Sequence, residues 1–143
     1  AESFNAGMSE YSTPEDCLRL KTEGEADMIA VSIGSEHGQS SMLKIDLLAD
    51  IASTVQAPLV VHGGSGISAS DYAQARQYGV VKANIGSALY RTLRNTWEDS
   101  ARYGSHREVY AAARAALKEV AKEKLQIMGA NGQARSYILW QSE

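Results

Sequence analysis

Three short apolar runs, at residues 26–33, 58–61 and 80–85, stand out against a chain that is otherwise amphipathic or polar. Each is too short for an independent helix and rich in β-branched side chains, and none alternates strictly between apolar and polar. That pattern predicts strands covered on both faces, as in a parallel sheet. Helix signals fall between them. Ser12-Thr13-Pro14-Glu15-Asp16 is a start: Thr13 can cap, Pro14 fits the first turn, and the acids suit the positive end of the helix. Gly24 is placed to stop that helix. Asp46 opens a run in which Leu47, Leu48, Ile51 and Val55 recur at helical spacing. Ser68 can cap a third helix with Asp71 three residues on, and Gly79 closes it. Helix and strand therefore alternate, as in successive right-handed βαβ units.

Beyond the third run the pattern turns helical. One helix is predicted over residues 88–103 and a second over 107–128, with Val109, Ala112, Ala113, Ala116, Val120 and Leu125 along one side and Gly129 at its end. Residues 133–143 read as a tail, with Trp140 as a packing anchor.

Each apolar run ends in a polar, glycine-rich segment: Gly34-Ser35-Glu36-His37-Gly38, His62-Gly63-Gly64-Ser65-Gly66 and Asn84-Ile85-Gly86-Ser87. In a (β/α) barrel or an open doubly wound sheet, the C-terminal ends of consecutive strands are where ligands bind. Glycine lets backbone N–H groups approach a phosphate oxygen and adopt the positive φ that aims them inward. Gly63, Gly64 and Ser65 after one strand, with Gly86 and Ser87 after the next, read as a two-walled phosphate cradle; Gly-Gly-Ser-Gly taken alone reads equally as a tight turn. His37 and His62 each follow a strand beside a glycine. Either alone reads as a hydrogen-bonded structural histidine, but two on neighbouring strand ends can converge on one metal ion, and catalytic zinc keeps three protein ligands with one open position.

Composition narrows the classes. The net charge of −3 offers no basic field for nucleic acid. No run of about twenty apolar residues suggests a membrane span, and no secretory leader pattern is visible. The single cysteine, Cys17, fits a reducing cytoplasm and reads as a small buried hydrophobe on a helix. His106, after Ser105 at a helix start, reads as a surface residue.

Residues 26–38, 58–66 and 81–87 together resemble, in order and spacing, three consecutive strands of the class II ketose-bisphosphate aldolases, the fructose- and tagatose-bisphosphate enzymes; Thr13-Pro14-Glu15-Asp16 resembles the helix before them. The resemblance covers nearly the whole chain. It implies an α/β fold, the C-terminal part of a (β/α)8 TIM barrel with strands resembling the sixth to eighth, followed by terminal helices through residue 132. It implies that His37 and His62 are zinc ligands and that Gly38, Gly63, Gly64 and Ser65 line a dihydroxyacetone-phosphate site. Asn84, Ile85, Gly86 and Ser87 would complete that site, with Asn84 reaching the enediolate as the catalytic side chain. Ser87 stands where the family commonly has threonine and Glu36 where a small residue is common. Gly34 and Ser35 shape a turn, and Lys82 reads as structural or phosphate-adjacent.

A complete barrel of this kind takes about 250 residues. The family's third zinc histidine and its proton-moving aspartate lie in an Asp-His-Gly motif that this sequence does not contain. The expectation is a class II aldolase whose remaining barrel is supplied elsewhere, by an N-terminal polypeptide or a full-length aldolase subunit, in a homo- or hetero-oligomer and inactive as this chain alone. The alternatives are a non-catalytic aldolase-like subunit that stabilises or activates a full-length aldolase, and a metal-independent barrel that binds sugar phosphate.

Overall fold

A three-stranded parallel sheet, its strands adjacent in chain order, forms the centre of the first part of the chain. The computed structural model describes residues 11–35 and 42–132. The strands are β1 (Ile29–Val31), β2 (Leu59–Val61) and β3 (Val80–Ala83), each inside a predicted apolar run. All three side chains of β2 are buried, as a central strand covered on both faces requires. β1 pairs with β2 in regular register, Ile29 opposite Leu59 through Val31 opposite Val61. Between β2 and β3, Leu59 pairs with Val80 but Val60 with Lys82, so the register skips Val81, which is 64 % exposed.

The helices that precede and connect the strands follow their sequence signals. In α1 (Pro14–Thr22), Thr13 caps the start by accepting from the Asp16 N–H at 3.1 Å. Cys17 is buried on the inner side of that helix. In α2 (Ile45–Val55), Leu48, Ile51 and Val55 form the buried stripe. Gln56 ends α2 in the left-handed region at φ 49°, without a glycine. The carbonyls at that end gain a charged donor instead, because Lys21 of α1 places Nζ 2.6 Å from Val55 O and 3.2 Å from Gln56 O. A cation at a helix C-terminus is favoured by the helix dipole. Lys21→Met, which keeps the stem and removes the charge, is expected to lower stability by about 1 kcal/mol, measured as a shift in denaturant midpoint. In α3 (Ala69–Gln77), Ser68 accepts from the Asp71 N–H at 3.1 Å, and Gly79 follows the helix at φ 81°.

The chain forms two compact units, residues 1–85 and 86–143. In the second unit, α4 (Ser87–Glu98) packs on α5 (His106–Ile127), with Trp97 and Tyr110 in an edge-to-face contact, ring centroids 5.4 Å apart. The helix predicted over residues 88–103 stops earlier. Asp99 leaves helical geometry at ψ 7°, and a single 3-10 turn, Ser100–Arg102, follows. The backbone closes three-residue bonds there instead, Arg102 N–H to Asp99 O at 3.0 Å and Tyr103 N–H to Ser100 O at 3.1 Å. The predicted apolar side of α5 is buried at Val109 and Ala113, yet Leu125 is 46 % exposed. α5 has 22 residues against 12 in α4, so its last turns run past the helix it packs on. Trp140 and the tail lie outside the described residues. No described helix is long and apolar enough to cross a membrane.

Candidate functional site

The loop after β2 begins at His62, an exposed side chain directly beyond the buried valines of the strand. Gly63 then turns the backbone into the left-handed region at φ 67°, a conformation a side chain disfavours. Gly64–Gly66 follow as one turn of 3-10 helix, with the Gly66 N–H reaching back to Gly63 O at 3.5 Å.

Gly64 is required for a different reason, its close approach to neighbours. A Cβ there would lie 2.5 Å from Tyr72 Oη, 3.1 Å from Asn84 O and 3.2 Å from Ile85 Cγ1. Its N–H donates to Asn84 O at 3.0 Å, and its carbonyl accepts from the Tyr72 hydroxyl at 2.7 Å. The Gly64 N–H is thus committed to the neighbouring strand end. What Gly64 gives the loop is tight seating.

Asn84 sits beside His62. Its backbone N–H donates to Val61 O at 2.9 Å, continuing the β2–β3 pairing past the end of the strand. Its side-chain amide nitrogen lies 3.3 Å from His62 Nε2 and 3.5 Å from Nδ1. The orientation of that amide is fixed from the other side: the Lys82 ammonium donates to Asn84 Oδ1. An ammonium can only donate, so it selects the amide oxygen and leaves the NH2 toward the imidazole. Lys82, read from sequence as structural or phosphate-adjacent, therefore acts on Asn84. The near-equal distances place the amide nitrogen against the imidazole rather than in line with either ring nitrogen.

The structure brings His62, Gly63, Gly64, Asn84 and Ile85 together, with Ser65 in the turn. Gly34 stands at φ 93° in the loop after β1, where a Cβ would meet Met42 O at 2.8 Å, in keeping with a turn-shaping role. His37, Gly38 and Glu36 lie outside the described residues. Gly86 caps α4, and Ser87 is its first residue. Among the described residues no three His, Cys, Asp or Glu side chains cluster as metal ligands. Tyr72 is the residue the sequence reading passed over. It is 2 % exposed on the inner face of α3 with Ala75, where its spacing signals only an apolar helix stripe. Burial pushes the Tyr72 phenol up from its ordinary value, which keeps it a donor. Cys17 is likewise raised, chiefly by burial, with a Ser12 hydrogen bond acting the other way, and it belongs to the core.

Comparison with known proteins bears on the family and the fold. The sequence profile of the family described as "Fructose-bisphosphate aldolase class-II" matches residues 2–133. The chain is 29% identical over 132 residues to a fructose-bisphosphate aldolase of Staphylococcus epidermidis, covering 87% of this chain and 46% of that protein. It is 26% identical over 136 residues to a sulfofructosephosphate aldolase of Alkalicoccus urumqiensis, covering 90% of this chain and 47% of that protein. The crystal structure of the YdjI aldolase from Escherichia coli K12 superposes with a TM-score of 0.76 at 27% identity, over 87% of this chain and 47% of that one. The chain thus spans about half the length of the relatives it matches. A match of this extent, on a parallel sheet with helices like those of aldolase structures, places the chain in the class II fructose-bisphosphate aldolase family.

Proposed function

We propose that this chain contributes the phosphate-binding and part of the metal-binding machinery of a zinc-dependent aldolase. The reaction is reversible cleavage of a ketose 1,6-bisphosphate to dihydroxyacetone phosphate and an aldehyde. The observation that carries this reading is the meeting of His62, the Gly63–Gly66 turn and Asn84 at the C-terminal ends of β2 and β3. These strands would be the seventh and eighth of a (β/α)8 barrel and β1 the sixth. Exposed apolar side chains on the sheet and its flanks, Met28 and Val81 among them, suit a surface that further strands would cover.

His62 would hold the metal with His37, and a third histidine would come from the rest of the barrel. Zinc, when bound, supplies a Lewis acid that polarises the ketone carbonyl. The chain's own residues bind and orient the substrate. The turn after β2 seats the phosphate and so orients the reacting carbons. Asn84, its amide oxygen held by Lys82, presents an N–H donor on the side of His62 where an enediolate oxygen would form. Proton transfer at the C4 hydroxyl belongs to a group outside this chain.

The test is cleavage of fructose and tagatose 1,6-bisphosphates by the assembly that contains this chain. His62→Ala is expected to abolish chelator-sensitive turnover. Full turnover in that variant removes His62 from the ligand set, and the chain then stands as a stabilising subunit of a complete aldolase.

A further inference from the structure

We propose that Tyr72 is a positioning residue for the phosphate loop: its core hydroxyl fixes the Gly64 carbonyl and so sets the direction in which the turn after β2 presents its backbone donors. The inference rests on reading that turn as the phosphate site.

The argument starts from the peptide plane. The carbonyl of Gly64 and the N–H of Ser65 belong to one trans peptide and point in opposite directions. Tyr72 Oη donates to that carbonyl at 2.7 Å from within the core, where the side chain is 2 % exposed. With the carbonyl held toward α3, the Ser65 N–H is turned to the opposite side of the loop. The preceding peptide is pinned as well, since the Gly64 N–H donates to Asn84 O at 3.0 Å. Gly64 therefore has both of its backbone groups engaged, one by α3 and one by the end of β3.

The hydroxyl is not explained by packing. A phenyl ring would fill the same space on α3, and a buried hydroxyl without a partner costs free energy. Tyr72 is the side chain whose oxygen reaches the loop from beneath, and the missing Cβ of Gly64 is what admits it, at 2.5 Å from where that carbon would stand.

The experiment titrates inorganic phosphate into the assembly that contains this chain, 15N-labelled, and into the same assembly carrying Tyr72→Phe, following the loop amides by 1H–15N NMR and the fold by circular dichroism. Phenylalanine keeps the ring and removes only the hydroxyl. The expected result is about tenfold weaker phosphate binding in the variant, the factor that one net hydrogen bond supplies. A shift and faster exchange of the Ser65 amide should accompany it, while the amides of α1 and α2 stay in place. Equal phosphate affinity in the two proteins overturns the role of Tyr72 and leaves the phosphate loop standing, as does an unmoved Ser65 amide. Absence of phosphate binding by the unsubstituted assembly removes the phosphate reading itself, and the proposal with it.

Discussion

Gly64→Ala is expected to dismantle the loop after β2 and to destabilise the first unit by about 2–5 kcal/mol. The added methyl would stand 2.5 Å from Tyr72 Oη and 3.1 Å from Asn84 O, neither of which is the free end of a flexible chain. Tyr72 is packed in the core and Asn84 O is backbone, so relief requires the turn to lift away. That breaks the Gly64 N–H to Asn84 O bond at 3.0 Å and leaves a buried phenol without its acceptor. Both losses add to the steric cost. Gly86→Ala serves as the control: the nearest atoms to its Cβ are Tyr90 ring carbons at 3.7 Å and 3.9 Å, ordinary contact distance. Its stability should stay within about 0.5 kcal/mol of the parent. Chemical denaturation of both variants reads the difference, and equal midpoints would contradict the tight seating of Gly64.

Leu48→Ala is the second large expectation, a loss of about 2–5 kcal/mol. Leu48 is fully buried on α2, on the stripe it forms with Ile51 and Val55. Truncation removes its transfer free energy and leaves a cavity in the close-packed core. Met42→Ala, at a side chain 84 % exposed just before the same helix, should change stability by no more than about 0.5 kcal/mol. The pair separates burial from hydrophobicity, and thermal melts of the two variants measure it.

The strands and most helix boundaries were legible because each rests on a local cause. The capping side chains Thr13, Ser68 and Ser105 all accept from the N–H three residues on, and such a bond needs no tertiary context. Helix α4 was misread at its end because Asp99 and Ser100 lie in an otherwise helical pattern, where a local turn outcompetes propensity. Leu125 was misread because periodicity describes a face and says nothing of how far the opposing helix extends. In the site, His62, Gly63, Gly64 and Asn84 could be singled out by chemical type and place after a strand. The engagement of the Gly64 N–H, the hold of Lys82 on Asn84 and the reach of Tyr72 into the loop could not. Each depends on two elements meeting in space. Tyrosine on an apolar stripe carries no mark in the sequence of where its oxygen will point.

Because pairing slips at Val81, β3 serves two sides of the sheet in opposite phase. Paired residues of parallel strands project to the same side, so Val80 shares a side with Leu59, whereas Lys82 shares one with Val60. One residue beyond the last pair, the same register sets Asn84 abreast of His62, where its amide is found. In an unslipped strand Val80, Lys82 and Asn84 would all lie on one side, and a core valine would compete with two polar side chains for the same neighbours. The slip works as a phase inverter. Upstream of it the strand answers to the packing of the sheet, and downstream it answers to the imidazole, so the two halves can vary in sequence without a shared constraint.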